Sequence, residues 1–279
     1  MFTTGKCGWC VGFLRNPGGE WREMPGPPLF PLRGRGKCVM KTTIGAMQLP
    51  LQMLRQPTES TCGPTCLHAL YRYYGRDFSL EEIIAAIPTN EDGGTISVYL
   101  ALHALKHGFR ARSYSYNLRI FDPTWWGLSP VELAAKLEQR AAVLDSPRLV
   151  ETHQAYSQFL EWGGELRFQD LTPALLRYLL GRGLPILTGL SATYLYQTVR
   201  ETPEGRDDDV AGYPVGHFLV INGLEEETGE VIVTDPYGEN PFQPHGRYRI
   251  DCHRLINAVM LGIVTYDANL LVIEPKENG

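Results

Sequence analysis

Gln56-Pro57-Thr58-Glu59-Ser60-Thr61-Cys62-Gly63-Pro64-Thr65-Cys66-Leu67 reads as a cysteine at the first turn of a helix, with a glutamine six residues upstream. Ser60 or Thr61 is placed to cap the helix, and Pro64 fits its first turn, where a missing N–H costs nothing. Cys66, Leu67, Leu70, Tyr71 and Tyr74 continue as an apolar helical stripe that stops before Gly75. A thiol at a helix N-terminus feels the positive end of the macrodipole and the free N–H groups. Both favour the reactive thiolate. The Gln56 side-chain amide is positioned to donate to an oxyanion beside that thiol.

A nucleophilic cysteine needs a base. Gly216-His217-Phe218-Leu219-Val220-Ile221-Asn222-Gly223 reads as a buried strand that begins at a histidine. Glu226-Glu227-Thr228-Gly229 reads as a turn, and Glu230-Val231-Ile232-Val233-Thr234-Asp235-Pro236 as a second strand stopped by Pro236. A simple hairpin centred on Glu226 sets His217 directly opposite Asp235, with Cβ atoms roughly 4.5–5.5 Å apart. In a catalytic triad an acid so placed fixes the histidine tautomer and stabilises the imidazolium.

Together Gln56, Cys62, His217 and Asp235 resemble the papain-like cysteine peptidases. The Cys-Gly-Pro-x-Cys-Leu and Tyr-Tyr-Gly run, the Gly-His-Phe-Leu-Val-Ile-Asn-Gly block and Asp-Pro are similar to the C39-like branch, which includes peptidase domains of bacteriocin-processing transporters. The resemblance spans roughly residues 51–274 and implies Cys62 as nucleophile, His217 as base, Asp235 as orienter and Gln56 as oxyanion donor. It implies an α+β fold, with N-terminal helices packed on a mostly antiparallel sheet. Thr61 stands where the transporter members usually carry Asp, and neither a P-loop nor a membrane-length apolar run is present. A stand-alone peptidase acting on a peptide or protein is the expectation, with no metal or organic cofactor. A transpeptidase or deamidase using the same triad, a non-catalytic peptide-binding module, and a thiol redox protein using Cys62 and Cys66 remain open.

Bulk properties agree with an enzyme of that kind. With 279 residues and 43% hydrophobic content the chain can bury a large core. A net charge of −5 argues against a broad nucleic-acid surface. No apolar run reaches a membrane span, and residues 1–40 lack the apolar core of a signal peptide. Six cysteines without dense spacing suit a reducing cytoplasm better than a disulfide framework.

Residues 1–46, rich in Gly, Pro and Arg, read as a disordered or loosely attached tail, and 47–279 as the peptidase domain. Cys7, Cys10 and Cys38 give one weak metal-type spacing, so no metal is expected. Helices are predicted near 79–87, 95–107, 130–142, 147–161, 172–180 and 251–260, and strands near 109–117, 185–190, 262–266 and 270–274. The helices around 120–165 read as an insertion. His68, His103 and His107 fall on helices and read as surface or packed histidines. Residues 191–215 read as a long polar loop leading into His217, either a substrate-selecting lid or a plain surface excursion. Tyr194, Tyr196 and Tyr213 would supply contact area there, and Asp207, Asp208 and Asp209 would attract basic substrates.

Overall fold

The computed structural model describes residues 13–15, 21–23, 47–90, 94–243, 246–265 and 267–276. The chain divides into two units, Met1–Thr43 and Ile44–Gly279. In the first, β1 (Phe13–Arg15) pairs antiparallel with β2 (Trp21–Glu23). The Cys7, Cys10 and Cys38 spacing lies outside the described residues, as does most of the expected tail.

The second unit opens with β3 (Met47–Gln48), α1 (Cys62–Tyr73), α2 (Leu80–Ala86), α3 (Ser97–Lys106) and β4 (Phe109–Ser115). A helical pair follows, α4 (Pro130–Ala141) and α5 (Pro147–Glu161). Then come β5 (Glu165–Arg167), α6 (Pro173–Gly181), β6 (Ile186–Ser191), α7 (Ala192–Tyr196), β7 (Gly216–Glu225) and β8 (Glu230–Thr234). β9 (Arg247–Asp251), α8 (Cys252–Leu261) and β10 (Asn269–Pro275) complete it. One eight-stranded sheet runs β5-β4-β10-β6-β7-β8-β9, with β3 pairing β7 off that path. Only the β4–β5 pairing is parallel. The architecture is α+β with a mostly antiparallel sheet, as expected.

Local chemistry explains the boundaries. Ser79 accepts the Glu82 N–H at 3.2 Å while the Glu82 carboxylate accepts the Ser79 N–H, a capping box that starts α2. Ser129 and Glu132 repeat it at α4, where Pro130 fills the first helical position. Asp251 accepts the Arg254 N–H at 2.8 Å and starts α8. Such caps are typically worth about 1 kcal/mol each.

The sheet is covered on both faces, which is why β7 and β10 read as unbroken apolar runs. Phe218, Val220, Leu271 and Ile273 join the core packed with α1, α3 and α5. Their alternates Leu219, Ile221, Leu270 and Val272 join a second core with α6 and α8. That is the period of two expected of a strand.

Three readings need correction. The strand expected at 262–266 is not seen among its described residues: Gly262–Thr265 is a 3₁₀ turn, and β10 itself lies between β4 and β6. The hairpin register also differs. Glu225 pairs with Glu230, and a bulge at Asn222 shifts the ladder again before Ile221 meets Val233. His217 therefore lies beyond the β7–β8 ladder and pairs instead with Leu190 of β6. The bulged Asn222 is put to use. Its amide donates to the Leu49 carbonyl at 3.0 Å and its oxygen accepts the Thr234 hydroxyl at 3.0 Å, fastening the chain after β3 to the end of β8.

The third correction concerns 191–215. The segment is folded at its start, where Ser191 caps α7 by accepting the Tyr194 N–H. Gln197 then ends α7 in the left-handed conformation. Further on, Glu201 makes isolated bridges to Asp207 and Tyr213.

Candidate active site

Cys62 is the first residue of α1 and is buried. Neither expected cap forms. Thr61 holds the N-cap position, but its hydroxyl donates to the Thr58 carbonyl at 2.9 Å and accepts the Thr58 N–H at 3.1 Å. The threonine thus ties 58–61 into a tight loop and leaves the helix terminus without a side-chain cap. Gly63 lets α1 approach its neighbours. A Cβ there would lie 2.8 Å from Thr95 and 3.2 Å from both Leu100 and Phe218. Cys66, one turn on, is fully buried with its thiol on the Phe218 carbonyl at 3.4 Å, and burial pushes its pKa well up. It is a core contact between α1 and β7.

His217 Nε2 bonds Asp235 Oδ1 at 2.8 Å, with the Asp235 side chain wholly inaccessible. The expected contact forms although the expected register does not. β8 ends at Thr234, and the Asp235 N–H leaves the ladder to donate to the Gly246 carbonyl at 2.6 Å. Gly246 adopts φ +72°, and a Cβ would come within 2.6 Å of the Asp235 carbonyl, so glycine suits this turn.

Asp235 has further partners that the sequence did not reveal. Its Oδ2 accepts hydroxyls from Tyr196 and Tyr248, each at 2.7 Å, and Oδ1 also accepts the Tyr237 N–H at 2.9 Å. The rings of Tyr196 and Tyr237 lie 6.0 and 6.2 Å from the His217 ring. Tyr248 carried a faint signal, the alternation of Tyr248 and Ile250 in β9; the lid reading gave Tyr196 only substrate contact area, whereas its hydroxyl is spent on Asp235.

These contacts set the charges. Burial alone would push the His217 pKa down; the adjoining Asp235 carboxylate, and hydrogen bonding and charge from Cys62, outweigh it and raise the value to about 10. Burial would likewise raise the Asp235 pKa, but His217 and then the Tyr196 hydroxyl and Tyr237 N–H bring it below the ordinary range. The favoured state is carboxylate beside imidazolium.

Gln56 joins the site through its backbone, its N–H donating to the Pro236 carbonyl at 3.0 Å. Its amide nitrogen donates to the Thr58 carbonyl at 3.0 Å and, at 3.4 Å, to that of Glu59, while Oε1 is buried without a partner.

The lid residues are dispersed. Tyr194, on α7, and Tyr213 are exposed. The Asp208 carboxylate accepts the N–H groups of Val210 and Ala211, closing its own turn, and the Asp209 carbonyl accepts from Arg200. Asp207 is near Glu201, whose carboxyl is raised by burial and by the charges of Glu59 and Asp207. Glu239, Glu59 and Glu201 in turn act on Tyr237, behind burial as the main cause of its raised pKa. Arg55 acts against them and pairs with Glu239 at 2.8 Å, so the charge near the ring beside His217 is mixed, with Glu59 and Glu201 on the acidic side. Among the described residues no group of three or more His, Cys, Asp or Glu is arranged to hold a metal ion. Nor is any helix there long and apolar enough to cross a membrane.

Residues 51–130 match the model of the Peptidase C39 family, a segment that holds Gln56 and Cys62 but stops short of His217 and Asp235. Over that segment the chain is similar to the C39 peptidases. Solved structures with similar folds include the peptidase domain of Streptococcus ComA, at 15% identity and a TM-score of 0.38, covering 81% of this chain and 98% of that one. A putative C39-like peptidase from Bacillus anthracis has 12% identity and a TM-score of 0.42, over 82% and 98% of the two chains. Xylellain, a cysteine protease from Xylella fastidiosa, has 15% identity and a TM-score of 0.43, over 82% and 85%. A search of curated proteins gave no match.

Proposed function

We propose that the protein hydrolyses a peptide or amide bond through a Cys62–His217–Asp235 triad. The observation that carries this is the 2.8 Å bond from His217 Nε2 to a fully buried Asp235, on a histidine that also interacts with Cys62 at the head of α1. With Nε2 committed to Asp235, Nδ1 is the nitrogen left for the thiol. A histidine whose pKa is raised to about 10 is protonated at neutral pH, so His217 enters the reaction as an imidazolium beside Cys62. The thiolate attacks the carbonyl carbon, and the imidazolium protonates the leaving amine. The neutral imidazole then activates water, which hydrolyses the thioester.

The oxyanion rests on the Cys62 backbone N–H, and on Gln56 once its amide exchanges the long contact to the Glu59 carbonyl for the substrate oxygen. The substrate is a peptide or protein in the cytoplasm. Glu59 and Glu201 near Tyr237 favour basic residues near the scissile bond, Glu239 being paired with Arg55, with Asp207, Asp208 and Asp209 adding longer-range attraction and Tyr194 and Tyr213 contact area. A Cys62–Cys66 redox couple is disfavoured, because the Cys66 thiol is buried on the Phe218 carbonyl.

Two measurements test this. Iodoacetamide at neutral pH should label Cys62 far faster than Cys66 or Cys252, whose pKa values burial raises, that of Cys252 to about 11. Mass spectrometry of a peptide library should show cleavage that Cys62→Ala abolishes and Gln56→Ala slows by roughly 10²–10³. Equal labelling of the three thiols, or cleavage that survives Cys62→Ala, overturns the proposal.

A further inference from the structure

A cleft of about 510 Å³ opens beside α1. Its walls include Met53 and Leu54 from the segment before the helix, His68 and Arg72 from the helix, and Thr234 and Arg247 from the β8–β9 edge. Among the described residues, none that lines it is acidic. Two guanidinium groups therefore share one concave surface without a counter-charge on it. Among the described residues, neither Arg72 nor Arg247 makes a salt bridge. Arg247 gives one N–H to the Leu51 carbonyl, which fixes the side chain and leaves other donors of its fork free.

The second observation is His68. Only 5% of it is exposed, and its Nδ1 is buried without a hydrogen-bond partner. A buried polar nitrogen with nothing to bond to is uncommon in folded proteins and calls for a partner. Burial and then the Arg72 charge lower the His68 pKa, against a smaller pull from Glu81 and Asp77. An anion in the cleft supplies what all three side chains lack: acceptor oxygens for two guanidinium groups and a negative charge near the imidazole.

We infer that this cleft is an anion-binding site, taking a carboxylate or phosphate oxyanion between Arg72 and Arg247, with the His68 ring in the wall beside it. Met53 and Leu54 give it an apolar wall, which suits an oxyanion carried on a partly apolar ligand. Two sources share this chemistry, an acidic side chain of a bound peptide and a free phosphate-type anion. The inference does not depend on the proposed triad. The cleft nevertheless borders it, since Thr234 precedes Asp235 and Met53 and Leu54 lead towards Gln56.

The test uses the full-length Cys62→Ala protein, so that binding is read without turnover. Histidine-labelled protein is titrated, at constant ionic strength, with sodium phosphate and with acetyl-Leu-Glu-Glu-Leu-amide; acetyl-Leu-Gln-Gln-Leu-amide is the neutral control. The expected result is a saturable shift of the His68 ring resonances, a rise in the His68 pKa on binding, and about tenfold weaker binding in Arg72→Gln and Arg247→Gln. Arg72 is solvent-exposed, so Arg72→Gln stays informative even if Arg247→Gln disturbs the bond to Leu51. A response to phosphate alone assigns a free-anion site. A response to the acidic peptide and not to its glutamine counterpart assigns a subsite for acidic peptides. The inference is overturned if neither probe moves His68, or if Arg72→Gln binds as tightly as the parent.

Discussion

Two carboxylates are buried in this protein to nearly the same depth, Asp235 at 3% and Asp267 at 5% exposure, and they hold opposite charge preferences. Asp235 accepts four hydrogen bonds of 2.7–2.9 Å, from His217, Tyr196, Tyr248 and the Tyr237 N–H. Its pKa falls below the ordinary range despite its burial. Asp267 has longer contacts among the described residues, the Ser97 N–H and the Asn269 amide, both at 3.3 Å to Oδ1, with the Arg148 charge acting in the same direction. Burial there wins over those two contacts and raises its pKa to about 7. Depth sets the cost of charge for both; the number and shortness of the donors decide whether it is met.

Asp235→Asn is the most severe way to break the contrast. It keeps the shape but removes the charge that holds the imidazolium, and turnover should fall by roughly 10²–10⁴ while Cys62 remains alkylatable. Steady-state kinetics beside iodoacetamide labelling checks it; retained turnover would remove Asp235 from the mechanism.

The same pair should be visible in stability. His217 has a folded pKa above its unfolded value of about 6.5, so its contribution is complete below that pH and is lost as pH rises through about 10. Asp235 has a depressed folded pKa, so its contribution is present above about 3.9 and is lost as pH falls through the folded value. Denaturant melts should show the gap between parent and Asp235→Asn widest near pH 4–6.5 and shrinking towards pH 10.

For Asp267 the sign reverses. A folded pKa raised to about 7 means stability falls as pH rises from about 4 to 7, because the folded state holds the proton that the unfolded state releases. Asp267→Asn removes this loss. Relative to the parent it should gain on the order of 1–4 kcal/mol between pH 4 and 8, with turnover within about twofold. A stability difference independent of pH would break the comparison on this side.

The smallest effect sharpens it. Tyr196→Phe and Tyr248→Phe each take one donor from Asp235 and make it more like Asp267. Each should move the acid limb of the pH–rate profile upward by about half a unit to one unit, the double variant further. A uniform drop in rate with no displacement of the limb would point to packing alone.

What the sequence discloses follows from how local each signal is. Cys62, His217 and Asp235 each stand in a contiguous motif, which is what made them candidates, and the caps at Ser79 and Asp251 span only three residues, so those were legible. The hairpin register was not, because the bulge at Asn222 depends on its bonds to Leu49 and Thr234, from elsewhere in the chain. Tyr196 and Tyr248 meet Asp235 only through tertiary packing across 39 and 13 positions. β3, β5 and β9, of two to five residues, are too short for alternation to stand out. His68 gave a helix and no more; the cleft beside it exists only once the β8–β9 edge has closed against the helix.

Tyr196 is the last residue of α7, and the chain departs from it through left-handed Gln197 into the segment carrying Glu201, Asp207 and Tyr213. Its hydroxyl is also one of the four donors on Asp235. That side chain is thus a latch between the rim of the protein and its buried charge. The fold of the rim segment and the solvation of a carboxylate that water cannot reach share one hydroxyl.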